Sequence, residues 1–199
     1  KMEEALASGY YLAGFFSYEA GYAFEEKLIN KERFDFPLLY FGVYRAAKKF
    51  NPFRRESGPD CRVRIRGLNT SRSDYFDSIE KIRSYIAEGE VYQITYCIKF
   101  RFEFFGAPFK LFRKLKRVQP VPYPAYIETD DFHILSLSPE MFIKKRGDFV
   151  KTKPMKGTWP RGKNFFSDLW AARSLHKDPK NRAENIMIAD LLRNDLGRV

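Results

Sequence analysis

The chain is 199 residues long, 44% hydrophobic and 17% aromatic, which is enough to bury a core and suits one domain or a large part of one. No run of about 18 apolar residues occurs, which excludes an apolar membrane-spanning helix; the opening K-M-E-E-A-L-A-S-G lacks the charged, apolar and cleavage regions of a signal peptide and reads as the interior of a longer protein. The formal charge of +11 attracts anions without choosing among nucleic acid, a membrane surface and an acidic metabolite, while Cys61 and Cys97, with no C-x-x-C pair, suggest neither a disulfide framework nor a zinc site, so a reducing cytoplasm is the expected compartment.

In chain order, Tyr10 to Ser17 reads as a strand, Glu19 to Leu28 as a short helix and Pro37 to Val43 as a second strand. Lys48 to Asp60 gathers Pro, Gly and polar residues and is the expected boundary between two parts, residues 1–60 and 61–199. Cys61 to Leu68 is the next expected strand, with Arg62, Arg64 and Arg66 on one face. This strip and the basic clusters at 113–117 and 144–146 read as solvated faces, since cationic strips are common without a nucleic-acid role. Ser73 is the expected cap of a helix reaching about Glu88, with Phe76, Ile79, Ile82 and Ile86 as its buried stripe and Gly89 as its stop.

From Tyr92 to Phe102 apolar and polar residues alternate, predicting a strand with Gln93 and Thr95 on its polar face. Pro108 opens a helix with Phe109, Phe112 and Leu115 turned inward. Strands are then expected near Tyr123 to Glu128, Phe132 to Leu137, Met141 to Lys145 and Phe149 to Lys153, the last two joined by an Arg146-Gly147-Asp148 hairpin. Strands in sequence, short turns and a few helices predict an α+β domain with antiparallel sheets.

The densest chemistry lies from Lys151 onward, in K-T-K-P-M-K-G-T-W-P-R-G and N-R-A-E-N-I-M-I-A-D-L-L-R-N-D-L-G-R. The second block reads as a helix: Asn181 can cap it, Glu184 can close a capping box, and Glu184, Met187, Ile188, Leu191, Leu192 and Asp195 share one face. With S-P-E at Ser138 to Glu140, G-E-V-Y-Q-I-T from Gly89 and F-S-Y-E-A-G from Phe16, these blocks resemble the chorismate-utilising enzymes. Lys156, in P-M-K-G-T, resembles the branch of aminodeoxychorismate synthase component I, where anthranilate synthase component I and the isochorismate or salicylate synthases typically have Ala.

The resemblance implies a layered sandwich of large antiparallel sheets with helices between. Residues 1–60 would be its N-terminal portion and 61–199 the N-terminal part of the chorismate-binding catalytic domain, an incomplete copy truncated at its C-terminus. It also implies replacement of the C4 hydroxyl of chorismate by ammonia from a glutaminase subunit, on the route to p-aminobenzoate and folate. Lys156 would be the nucleophile and Glu140, at a strand end where a carboxyl can be partly buried, the general acid. Desolvation or neighbouring cations would have to favour the neutral amine of Lys156, whereas the dianionic substrate works against it.

Glu184 would ligate Mg²⁺, in competition with its capping-box role. Gly157 and Thr158 match positions that contact a substrate carboxylate, and a plain tight turn explains them equally well. Gln93 stands where water-using members typically have Lys, which favours ammonia, though a hydrogen bond within a sheet accounts for it too. Arg193, Asn194 and Asp195 read as structural, and His133 and His176 as bystanders. The alternatives are anthranilate synthase component I, a basic nucleic-acid-binding module and a catalytically silent fragment. The second conflicts with aromatic residues at core spacing, so neither nucleic acid nor membrane is an expected partner.

Overall fold

In the computed structural model, which describes residues 1–29, 35–49 and 59–198, the chain falls into two units, Lys1–Gly58 and Pro59–Val199. The first begins with a short helix, α1 (Met2–Ala7), which the sequence reading did not anticipate. Strands β1 (Tyr11–Phe16) and β2 (Leu39–Tyr44) pair antiparallel from Tyr11 opposite Tyr44 to Phe16 opposite Leu39. Phe15 stacks on Phe36 at 5.3 Å and Phe16 meets Phe41 edge-on at 5.1 Å, so ring contacts reinforce the ladder. Between the strands, the expected helix is instead two 3-10 stretches, Tyr18–Ala23 and Glu26–Leu28. Ser17 makes no side-chain cap there and Gly21 lies mid-segment, which disfavours a longer α-helix. Of the boundary expected at Lys48 to Asp60, residues 50–58 lie outside the described residues.

In the second unit, β3 (Arg62–Leu68) and β4 (Phe100–Phe105) pair antiparallel with a bulge between Ile65 and Gly67. The basic strip on β3 is partly neutralised across the ladder, where Arg66 bonds Glu103 and Arg64 lies 3.7 Å from the same carboxylate. Helix α2 (Arg72–Ala87) joins the two strands. Its cap is Ser71, two residues before the expected Ser73, because Asp74 supplies the acid of an S-x-x-D pair: the Ser71 hydroxyl accepts the Asp74 N–H at 3.1 Å and donates to its carboxylate at 2.7 Å. The expected apolar stripe is only partly covered, Ile79 and Ile82 being half-buried and Phe76 and Ile86 exposed.

The strand expected from Tyr92 is confined to β4. Leu68 opposite Phe100 is the last ladder pair, and Asn69 ends it by donating its N–H to the Lys99 carbonyl at 3.0 Å and accepting the Lys99 N–H on Oδ1 at 2.8 Å. Residues 91–99 are therefore irregular, and Gln93 lies on no sheet face.

Helix α3 (Pro108–Val118) packs on the hairpin of β5 (Tyr123–Glu128) and β6 (His133–Ser138). Phe112 is the large side chain buried here, at 7% exposure, with Phe109 at 5.9 Å and Tyr126 at 5.7 Å. The Tyr126 hydroxyl in turn meets His133 Nδ1 at 3.0 Å, giving that histidine a structural role. Burial pushes the Tyr126 hydroxyl above its ordinary pKa, with the Glu128 charge adding to the effect. Hairpin β7 (Met141–Arg146) and β8 (Phe149–Lys153) follows as expected, then α4 (Phe165–Lys177) and α5 (Pro179–Leu196). The α+β reading with antiparallel pairing stands, in four two-stranded sheets among the described residues.

Helix α4 escaped the sequence reading, although Asn164 and Ser167 form its capping box. Helix α5 starts at Pro179 with Asp178 as cap, three residues before the expected Asn181, and it is Asp178 that accepts the Asn181 N–H at 2.8 Å. Pro179 cannot continue α4 but suits the first turn of α5, which makes Asp178 the whole junction.

Phe112→Ala should destabilise the second unit by about 3–5 kcal/mol in urea unfolding. Phe149→Ala, at a ring 84% exposed, should stay within about 0.5 kcal/mol of the parent. Equal effects would contradict the packing described.

Candidate active site

The segment after β8 runs irregularly from Pro154 to Lys163, so its peptide groups need partners other than a ladder. Side chains from three parts of the chain supply them at Met155, Lys156 and Gly162. After β6, the Ser138 hydroxyl accepts the Glu140 N–H at 3.3 Å and donates to its carbonyl at 3.0 Å, a tight turn that directs Glu140 toward the loop. Glu140 Oε1 then accepts the Met155 N–H at 2.9 Å. From α5, Asn185 Oδ1 accepts the Lys156 N–H at 3.2 Å and Nδ2 donates to the Lys156 carbonyl at 2.9 Å.

A third element holds the far end of the loop. Arg161 grips Asp168 of α4 by two parallel bonds of 2.6 Å, and Asp168 Oδ1 also accepts the Gly162 N–H at 2.9 Å. The approach is so close that a Cβ on residue 162 would overlap the Asp168 backbone nitrogen, so glycine is required there. The Arg161 bond, then the Gly162 N–H, hold the Asp168 carboxyl below its ordinary pKa against a smaller opposing effect of burial; the same pairing raises Arg161. Gly157, at φ +83, also passes close to α5, where a Cβ would run into the Asn181 carboxamide. Asn181 and Asn185, one helical turn apart, thus face this loop together.

Of the residues singled out from sequence, Lys156 is half-buried in the loop and lines a cavity of about 500 Å³ with Leu175, His176, Asn181, Arg182 and Asn185. The volume suits a small metabolite. Its titratable lining groups are Lys156, His176 and Arg182, so His176, read from sequence as a bystander, shares the cavity with Lys156. Glu140 reaches the same loop through Met155 but lies exposed, contrary to the expected partial burial, as its turn projects beyond β6. Glu184 is half-buried, next to Asn185, and the cap at Asp178 relieves it of the capping-box role that competed with metal binding.

Neither glutamate lines the cavity. Thr158 is exposed, and Gln93 belongs to the irregular segment before β4. A larger cavity, about 790 Å³, lies at the C-terminal end of α5 against Tyr92, Asp190 and Arg193, and none of the expected catalytic groups lines it. Among the described residues no three His, Cys, Asp or Glu side chains converge to hold a metal ion. A Mg²⁺ ion at Glu184 would have that carboxylate as its protein ligand, with the rest of the shell left to water or substrate oxygens.

The sequence reading missed Asn185 and Asp168. Asn185 had a signal, since two asparagines four residues apart in a helix, Asn181 and Asn185, are costly unless their amides are used. Asp168 had none, because its partner Arg161 lies seven residues away across the loop-to-helix junction.

The whole chain, residues 1–199, matches the chorismate binding enzyme family. The chain belongs to that family. It is 33% identical over 210 residues to aminodeoxychorismate synthase component 1 of Klebsiella aerogenes, an alignment covering 94% of this chain and 47% of that protein. It is 32% identical over 210 residues to anthranilate synthase component 1 of Methanothermobacter thermautotrophicus, covering 94% and 45%. In fold it is similar to anthranilate synthase component I from Streptococcus pneumoniae, with a TM-score of 0.70 at 22% identity over 96% of this chain and 50% of that one. The chain thus spans about half the length of these family members.

In an NMR titration, the Asp168 carboxyl carbon should turn over below the ordinary aspartate value of 3.8, and Arg161→Ala should return it toward that value. Because the carboxyl is held low, the clamp is fully present above 3.8 and is lost only as pH falls through the depressed value. Identical titration in both proteins would rule out the clamp.

Proposed function

We propose that this chain is part of an aminodeoxychorismate synthase component I, which exchanges the C4 hydroxyl of chorismate for an amino group. Lys156 carries this reading: an amine stands in the P-M-K-G-T loop at the position where the anthranilate branch typically has Ala. In the proposed reaction, the neutral amine of Lys156 forms a carbon–nitrogen bond to the ring as the C4–oxygen bond breaks. The proton of the Glu140 carboxyl goes to the departing oxygen, which leaves as water. Ammonia then forms the C4–nitrogen bond, the ring releases the Lys156 amine, and the surplus proton of the incoming nitrogen returns to the Glu140 carboxylate.

In this reading the backbone of Gly157 and the hydroxyl of Thr158 receive a substrate carboxylate, and Gln93 leaves the site without the base that water-using members carry. Glu184 would hold Mg²⁺ in part, and the ion would supply positive charge against a substrate carboxylate. A glutaminase subunit in the cytoplasm supplies ammonia, and residues 1–60 and 61–199 contribute successive parts of a larger layered catalytic domain. Anthranilate synthase component I is the second reading, favoured by the archaeal relative of nearly equal identity over the same share of the chain.

Incubation of the full-length protein with chorismate, ammonium and Mg²⁺ should yield aminodeoxychorismate with no pyruvate released. Fluorescent anthranilate accompanied by pyruvate would support the second reading instead. Mass spectrometry of the intact protein under turnover should detect a substrate adduct that Lys156→Ala abolishes, and Glu140→Gln should slow product formation about 10²–10⁴-fold.

A further inference from the structure

Three hydrogen bonds engage the Asn185 carboxamide. Its oxygen accepts the Lys156 N–H, and its nitrogen gives one hydrogen to the Lys156 carbonyl and the other to the Asn181 carbonyl, the last at 2.8 Å. A primary amide has two donor hydrogens and one carbonyl oxygen. Both donors are used within the protein, and the oxygen is engaged by the loop. The side chain is part-buried in these bonds and sits on a helix, an element that holds position better than a loop.

We propose that Asn185 is the positioning residue for Lys156, holding the peptide from which the reactive amine extends and setting where that amine stands in the cavity between α4 and α5. This rests on the reading of Lys156 as the reacting group. Asn185 acts through the loop and touches no substrate. The contact also defines what other side chains would do. Leu has a similar volume and makes none of the three bonds. Asp keeps an acceptor for the Lys156 N–H but turns a carboxylate oxygen toward the carbonyls of Lys156 and Asn181. Gln keeps the amide one methylene further from the helix.

The test uses the full-length protein and the variants Asn185→Leu, Asn185→Asp and Asn185→Gln. Misplacement of a reacting group by about 1 Å costs on the order of 100-fold in rate, so Asn185→Leu should lower kcat by about that factor while KM for chorismate changes about threefold or less. Asn185→Asp should fall in the same direction, and Asn185→Gln should retain more activity than either. Competitive acetylation, read by mass spectrometry at the peptide containing Lys156, should report a changed amine reactivity in Asn185→Leu.

Should the variants fail to fold, hydrogen exchange in the parent protein provides the decision. The Lys156 N–H should be protected relative to that of Thr158, and equal exchange would overturn the proposal. Parent-like kcat and acetylation in a folded Asn185→Leu would overturn it as well, leaving the role of Lys156 intact. If Lys156→Ala itself keeps full product formation, the nucleophile assignment fails, and the positioning of a catalytic amine fails with it.

Discussion

An irregular loop that brings its backbone against a protein interior must find hydrogen bonds for each peptide it buries, and that requirement organises this site. Residues 155–162 have no strand beside them, and the peptide groups of Met155, Lys156 and Gly162 bond the side chains of Glu140, Asn185 and Asp168 respectively. Each comes from a different element, following β6, on α5 and on α4 respectively. The close approaches at Gly157 and Gly162 belong to the same constraint: a Cβ at 162 would overlap the backbone of α4, and residue 157 combines φ +83 with a close approach to the Asn181 side chain. The glycines of K-G-T and P-R-G are thereby explained by packing before any substrate is considered.

The rest of the second unit is less self-sufficient. Two-stranded sheets are marginal alone and gain stability from a covered apolar face. The β5–β6 hairpin has such a cover in α3, through Phe109, Phe112 and Tyr126. The β3–β4 pair, with Ile65, Phe100, Phe102 and Phe105 all about half exposed or more, is less well covered, and the same holds for Phe76 and Ile86 on α2. The difference separates a cluster that buries its rings from surfaces whose hydrophobic contribution is largely unrealised within this chain.

Features governed by contacts close in sequence were legible from the amino acids. The β7–β8 hairpin, the start of α3 at Pro108 and the inward Phe112 depend on a turn, a proline and a helical period, and each is where the pattern predicts. Misreadings arose where several local signals competed. Ser71 and Ser73 are both acceptable caps, and the acid at 74 decides between them; Asp178 followed by Pro179 outweighs Asn181 for the same kind of reason. The alternation from Tyr92 to Phe102 is a true strand pattern, but β3 offers partners only to residues 100–105. Alternation describes a strand's preference and cannot supply its neighbour. Within the site, the glutamate and lysine were visible in the motifs, whereas the groups that hold the loop are polar side chains whose purpose emerges only when α4 and α5 fold against it.

The contacts that hold residue 156 engage its N–H and carbonyl, and both would exist for any residue other than proline. Nothing in this attachment depends on an amine beyond the Cβ. A scaffold that grips the backbone can therefore carry lysine or another side chain at this position without rebuilding the loop. Nearly equal identity to relatives named for two different syntheses agrees with this separation, because overall identity reports mostly the framework and function is carried by groups placed on it.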